Sequence, residues 1–244
     1  MKSPGTSAQT RRDFIRKSGI FLGTLSLLSP LQALAAERVV ETVEVTPTED
    51  LMQEHGVLRR LLLIYDEMGR RLSQGKEFPL AVLQGSTGLI RRFVEDYHEK
   101  DEEQYLFTRF YKAGKMVDLV NVLYQQHQRG RKVTARIQGL TSPVVFRPGQ
   151  ARTQVVELMA AFTRMYRPHA AREDTVLYPA FRSVISPNDF KALGETFEDK
   201  EEKLFGKNGF EKIVSQVADL EKQLEIYQLT DFTPTAAMTG EQPG

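Results

Sequence analysis

From residue 48 onward, apolar side chains recur every three or four positions, in blocks separated by turn-forming residues. Leu51, His55, Leu58, Leu62, Tyr65, Met68 and Leu72 form one stripe, the pattern of a helix with one face in a core. Thr48-Glu49-Asp50 predicts its cap and acidic first turn. Gln74-Gly75-Lys76 interrupts the period, and a second helix is predicted from about Pro79 to Phe110, with Leu83, Ile90, Val94, His98, Glu102 and Tyr105 on its buried line. Beyond Ala113-Gly114, a third helix is predicted from about Met116 to Leu140, carrying Val120, Leu123, His127, Thr134 and Ile137 in register. The breakers from Ser142-Pro143 to Pro148-Gly149 precede a fourth, about Ala151 to Val184, with Leu158, Phe162, Tyr166, His169, Glu173 and Val176 on one side. No strand-like alternation competes with this period.

Long helices joined by short connections make antiparallel neighbours, so the expected fold is all-α: an up-down four-helix bundle over residues 48–185. Ser186-Pro187-Asn188-Asp189 predicts the cap of a fifth helix reaching about Leu204, and Gly206 to Gly209 separates it from a sixth, Phe210 to about Ile226. Residues 187–230 thus read as a C-terminal helical extension, and residues 233–244 as a tail without fixed structure.

The first 35 residues read as a targeting segment rather than as fold. Thr10-Arg11-Arg12-Asp13-Phe14-Ile15 with Lys17 resembles a twin-arginine export signature. An apolar run from Ile20 to Leu28 follows, then the small residues Ala33-Leu34-Ala35 of a cleavage site. The run is short and broken by Gly23 and Pro30, which argues against a retained membrane anchor. A periplasmic or otherwise exported protein, with no membrane attachment after cleavage, is expected. Without residues 1–35 the chain carries 28 Lys+Arg against 31 Asp+Glu, a balance that gives no basic face for nucleic acid. Cysteine is absent, which excludes disulfides, thiol catalysis and iron–sulfur ligation. Twin-arginine export is associated with proteins already folded, often around a cofactor, so a cofactor is worth seeking.

The histidines supply the candidate. His98-x3-Glu102-Glu103-x2-Leu106-Phe107-x2-Phe110 matches His169-x3-Glu173-Asp174-x2-Leu177-Tyr178-x2-Phe181 at an offset of 71, and Gln53-Glu54-His55 matches Gln125-Gln126-His127 at an offset of 72. The chain reads as two helical hairpins in tandem, and these matches contain all 4 of its histidines. In an antiparallel hairpin, residues equidistant from the turn lie at one height. His55 and His98 straddle position 76 or 77, His98 and His127 straddle 112 to 113, and His127 and His169 straddle 148, each on or beside a predicted turn. The four imidazoles therefore belong to one layer, with Glu102 and Glu173 one turn of ~5.4 Å further along the same face.

Burying such a set without partners would be costly, and a metal centre removes the cost. One zinc would use four ligands. Six donors in a two-fold arrangement suit two ions, with two histidines apiece and both glutamates bridging, leaving room for an oxo or hydroxo bridge and an open position. Imidazole and carboxylate donors suit iron or manganese, with no thiolate to favour a softer ion. The neighbouring Glu95, Asp96, Glu99, Asp101 and Glu103 read as a solvated face. Glu103 and Asp174, which recur in the repeat, are candidates to orient a ligand from behind. Tyr65, Tyr97, Tyr105, Tyr124 and Tyr166 read as packing residues with hydroxyls in reach of the site, and Pro168 as a local loosening of the fourth helix.

Glu54-His55, His98-x3-Glu102, His127 and His169-x3-Glu173-Asp174-x2-Leu177-Tyr178-Pro179 resemble the hemerythrin-like, or HHE cation-binding, domain over about residues 48–185. The resemblance implies a four-helix bundle around a non-haem di-iron centre, iron being favoured over manganese or zinc. Its ligands would be His55, His98, Glu102, His127, His169 and Glu173, the two glutamates bridging. The oxygen carriers of that family use five histidines with closely paired ones on the third helix, whereas only His127 is offered there, and Thr108 stands where the second copy has Pro179. The missing histidine shifts the expectation from simple oxygen carriage toward redox or storage roles. Ferritin-like di-iron proteins carry Glu-x2-His, the opposite order. Three functions remain open: a di-iron oxidoreductase that binds or reduces oxygen, peroxide or nitric oxide with electrons from an unidentified donor; a binding module for iron or oxygen without turnover; or a structural bundle with a vestigial or zinc-filled site.

Overall fold

The computed structural model describes residues 45–76, 79–142, 146, 149–235 and 238. The predicted export segment lies outside them, as does most of the predicted tail. Thr46, two residues before the predicted cap, starts the first helix: its hydroxyl accepts from the Glu49 backbone N–H and the Glu49 carboxylate accepts from the Thr46 N–H, a reciprocal capping box with Pro47 at the first helical position. This helix, α1, is Pro47–Ser73. The second, α2, spans residues 80–113 and is not uniformly α-helical: Ile90–His98 and Glu102–Phe107 are π-helical. Gly114, at φ 62°, ends it in the left-handed conformation that a Cβ disfavours. α3 is Val117–Leu140. α4 spans residues 150–181, α-helical over Gln150–Arg172 and Tyr178–Phe181 and π-helical over Glu173–Leu177 between them. Pro168 is accommodated inside α4 on its exposed side. α5 is Pro187–Phe205, capped by Ser186, and α6 is Gly209–Gln223. No strand occurs among the described residues, and none of their helices is long and apolar enough to cross a membrane.

The first four helices pack in a ring, each against its sequence neighbours and α4 against α1, while α5 and α6 lie on the hairpin of α1 and α2. Two apolar clusters form the interior. One gathers Leu61, Tyr65, Ile90, Phe93, Phe162 and Ile213; the other gathers Leu51, Phe107, Phe110, Val120, Phe181 and Phe190. The layer of histidines lies between them along every helix.

The predicted stripes of α1 and α3 are buried throughout. On α4, Leu158 and Val176 are only half-buried, and Val155, Met159 and Leu177 fill the core instead. The larger departure is on α2. Glu95, Glu99 and Asp101 are buried, so the expected solvated face shrinks to Asp96, with Glu103 half-buried. The π-helical stretch Ile90–His98 contributes: i→i+5 hydrogen bonding changes the angular phase of every following side chain, and the acids rotate inward. Each is met inside. Thr134 donates to Glu95 at 2.5 Å and Arg91 pairs with it at 2.6 Å, yet burial still pushes the Glu95 carboxyl up to about 7. Tyr166 donates to Glu99 at 2.5 Å, and Arg131 reaches both Glu99 and Glu103 at 2.7 Å. Lys200 of α5 pairs with Asp101.

Gly130 makes the Tyr166 contact possible. A Cβ there would stand 2.0 Å from the Tyr166 hydroxyl oxygen and 2.7 Å from Cζ. Gly130→Ala is expected to lower the thermal midpoint by ~5 °C, because overpacking of about 1–3 kcal/mol exceeds the helical gain of Ala over Gly. Gly139→Ala on the same helix, with nothing within 4 Å of the added atom, is the comparison: its melting curve should be unchanged or shifted slightly upward.

Candidate metal centre

All six sequence-predicted donors converge. His55, His98, His127 and His169 are 0–3% exposed, and Glu102 and Glu173 are fully buried. One group brings Glu102, His127, His169 and Glu173 within 4.8 Å of one another by their donor atoms; a second brings together His55, His98 and Glu102. Glu173 also reaches across, with Oε2 3.1 Å from His169 Nε2 and 3.4 Å from His55 Nε2. Glu102 Oε2 lies 3.5 Å from His98 Nε2 and 3.4 Å from His127 Nε2. Each hairpin thus contributes one histidine pair, and each glutamate touches both pairs. The two glutamates each open a π-helical segment, a distortion frequent at functional sites.

The outer nitrogens are held from behind. His55 Nδ1 bonds Asp174 at 2.7 Å, His98 Nδ1 bonds Glu54 at 2.8 Å, His127 Nδ1 bonds Glu103 at 3.2 Å and His169 Nδ1 bonds Gln126 at 2.8 Å. Such bonds fix the tautomer and aim Nε2 inward. Asp174 and Glu103 were legible from the repeat; Glu54 and Gln126 were not singled out, although each directly precedes a histidine in the matched Glu54-His55 and Gln126-His127 pairs. The pattern keeps the two-fold relation: the residue before each first histidine supports the second histidine of the same hairpin, and the residue after each glutamate supports the first histidine of the other hairpin.

Two departures break the symmetry. Tyr178 stacks on His55 at 5.5 Å and its repeat partner Phe107 stacks on His127 at 5.4 Å, so a hydroxyl stands on one side only. That hydroxyl donates to Glu102 Oε1 at 2.7 Å and lies 3.4 Å from His55 Nε2. It is the phenol that reaches the centre; of the tyrosines expected there, Tyr166 reaches Glu99, Tyr65 donates to Thr87 and Tyr124 is exposed. Glu54 and Gln126 form the second departure, a carboxylate opposite an amide.

The electrostatics are those of a site awaiting a cation. Glu102 Oε2 and both oxygens of Glu173 are buried without a hydrogen-bond partner, an expensive condition that a metal ion removes. Burial alone would raise the Glu173 carboxyl, but the positive charge of His169 and His55 beside it holds it well below the usual range. Burial pulls His55 down, yet Asp174 and Glu173 carry it up to about 9. With nitrogen and carboxylate donors, no sulfur, and two donor groups sharing Glu102, the residues fit a pair of borderline-hard ions such as iron. Asp174→Ala should weaken metal binding ~10–100-fold without changing helical content, because His55 loses its anchor while all six donors stay; a competition titration against a chelator measures it.

A sequence profile described as "Hemerythrin HHE cation binding domain" matches residues 46–181. Two relatives, "Uncharacterized protein Mb2018" of Mycobacterium bovis and "Uncharacterized protein Rv1995" of Mycobacterium tuberculosis, are each 43% identical over 242 residues, covering 96% of this chain and 95% of theirs. No solved structure matches the chain.

Proposed function

The chain belongs to the hemerythrin HHE cation-binding domain family, and on that premise we propose that it is an exported non-haem di-iron protein that binds or reduces a small oxidant: oxygen, peroxide or nitric oxide. The observation that carries the reading is the set of buried carboxylate oxygens on Glu102 and Glu173 that have no hydrogen-bond partner and face four imidazole Nε2 atoms. His55 and His98 would hold one ion and His127 and His169 the other, with Glu102 and Glu173 bridging. Iron held there would supply the electron-transfer chemistry. The protein supplies the rest. Asp174, Glu54, Glu103 and Gln126 keep the rings aimed, and the apolar clusters on either side exclude bulk water. Tyr178 holds a hydroxyl proton against Glu102, beside His55; burial and the Glu102 charge raise that phenol well above its ordinary value, so it stays protonated and serves as a donor. Reducing equivalents would come from an external donor. Export rests on Thr10-Arg11-Arg12-Asp13-Phe14-Ile15 and the apolar run behind it.

Metal analysis joined to an absorption spectrum is the test. Two irons per chain with near-ultraviolet bands, and peroxide consumption that disappears in His169→Ala, support the proposal. Iron below one per chain, or bound iron inert to all three oxidants, would sink it; a spectrum that changes and recovers as oxygen is added and removed would assign the centre to binding without turnover.

A further inference from the structure

The repeat gives the centre two equivalent approaches, and the C-terminal helices cover one of them. Between α3 and α4 a pocket of about 190 Å³ opens beside the centre, lined by Leu119, Val122, Leu123, Gln126, His169 and Arg172 among others. Its floor is the hydrogen bond that His169 Nδ1–H donates to the Gln126 side-chain oxygen. Carried back by the repeat offsets, these positions become Pro47, Asp50, Leu51, Glu54, His98 and Asp101, and every one of them is buried. The cover there is α5. Lys200 pairs with Asp101 and lies 5.9 Å from the ring centroid of Tyr97, and Phe205 packs edge-on against Tyr97 at 5.2 Å. α6 continues the cover along α1, where Arg60 bonds Glu221 at 2.9 Å.

One turn from His127 stand Leu123 and Arg131. Arg131 is engaged by Glu99 and Glu103; Leu123 lines the pocket and has no donor atom. No protein group on α3 therefore competes with an incoming molecule on that side. We propose that small ligands enter through this pocket, the open one of the two approaches among the described residues, and meet the His127/His169 half of the centre, because α5 and α6 have closed the equivalent entrance at His55 and His98. The lining selects the ligand class. Leu119, Val122 and Leu123 favour compact molecules of low hydration, and the Arg172 guanidinium on the wall repels cations, so the pocket takes neutral molecules or monoanions of two or three heavy atoms. The C-terminal extension thus adds a difference in access to the side-chain differences at Tyr178 and Phe107 and at Glu54 and Gln126.

This inference deepens the reading of the centre as an iron site, and its test separates the two. In the full chain loaded with diamagnetic zinc, dissolved dioxygen should broaden the methyl signals of Leu119, Val122 and Leu123 and leave Leu51 sharp; equal broadening at Leu51, or none at Leu123, overturns the proposal whatever metal the protein holds in the cell. In the iron-loaded chain, azide association followed by absorbance should slow by at least ~10-fold in Val122→Trp, whose exposed position puts the indole over the mouth without entering the core. Leu204→Trp, on exposed α5 surface, should leave the rate unchanged. A Val122→Trp protein with full iron content and the wild-type azide rate refutes entry through this pocket, whereas failure to retain iron in the wild type refutes the iron reading and leaves the zinc result to decide the pocket.

Discussion

Glu173→Ala is expected to remove metal from both positions at once. Its Oε2 is 3.1 Å from His169 Nε2 and 3.4 Å from His55 Nε2, so its loss withdraws a donor from each histidine pair. The drop in affinity should exceed the ~10–100-fold expected when only an outer partner such as Asp174 is lost. The fold should persist, because the apolar clusters on both sides of the histidine layer are untouched. Elemental analysis after gel filtration, with circular dichroism on the same fractions, checks both halves of this expectation. A helical variant that still carries a full metal complement would show that the carboxylate is not a shared donor.

Removing the metal from the wild-type protein should be nearly as consequential for stability. Free metal at about a thousandfold over its dissociation constant contributes ~4 kcal/mol, which for a chain of this size corresponds to a fall of roughly 8–16 °C in melting temperature on stripping. The size of that gap should depend on pH, in a direction set by His55. Its value in the metal-free fold is raised from 6.5 to about 9, so protonated His55 stabilises the stripped protein below pH 6.5, and this contribution is lost as pH rises toward 9. Metal must displace the same proton, so its binding tightens over that interval. The loaded and stripped melting temperatures should therefore diverge from pH 6.5 to pH 9, and a constant or narrowing gap in differential scanning calorimetry would contradict the assignment.

Much of this was legible in the sequence, for a physical reason. The same constellation is written twice, and its spacing from the turns levels the four histidines; geometry that needs only helix rise survives changes in local winding. The side-chain phase does not survive them. Glu95, Glu99 and Asp101 belong on a charged face if α2 is wound at the ordinary pitch, and they are inside because α2 is π-helical over Ile90–His98 and because α5, through Lys200, covers Asp101. Leu158 and Val176 lost their core positions on α4 to Val155, Met159 and Leu177. Glu54 and Gln126 were visible as a matched pair, but their targets sit on the other helix of each hairpin, and only three-dimensional packing shows which ring each one holds. The consequence of the C-terminal helices was likewise unreadable, since their amphipathic pattern says that they pack, not which hairpin they pack upon.

The bonds behind the four rings bear on time as well as on strength. An imidazole tethered at Nδ1 must rotate about χ1 or χ2 before its other nitrogen can leave an ion, and rotation breaks that hydrogen bond. With His55, His98, His127 and His169 all tethered in this way, dissociation requires several improbable motions together. A metal bound there is therefore expected to have a long residence time, and exchange with labelled metal should be slow even where equilibrium affinity is moderate. Such persistence suits a resident cofactor better than a cargo passed from hand to hand.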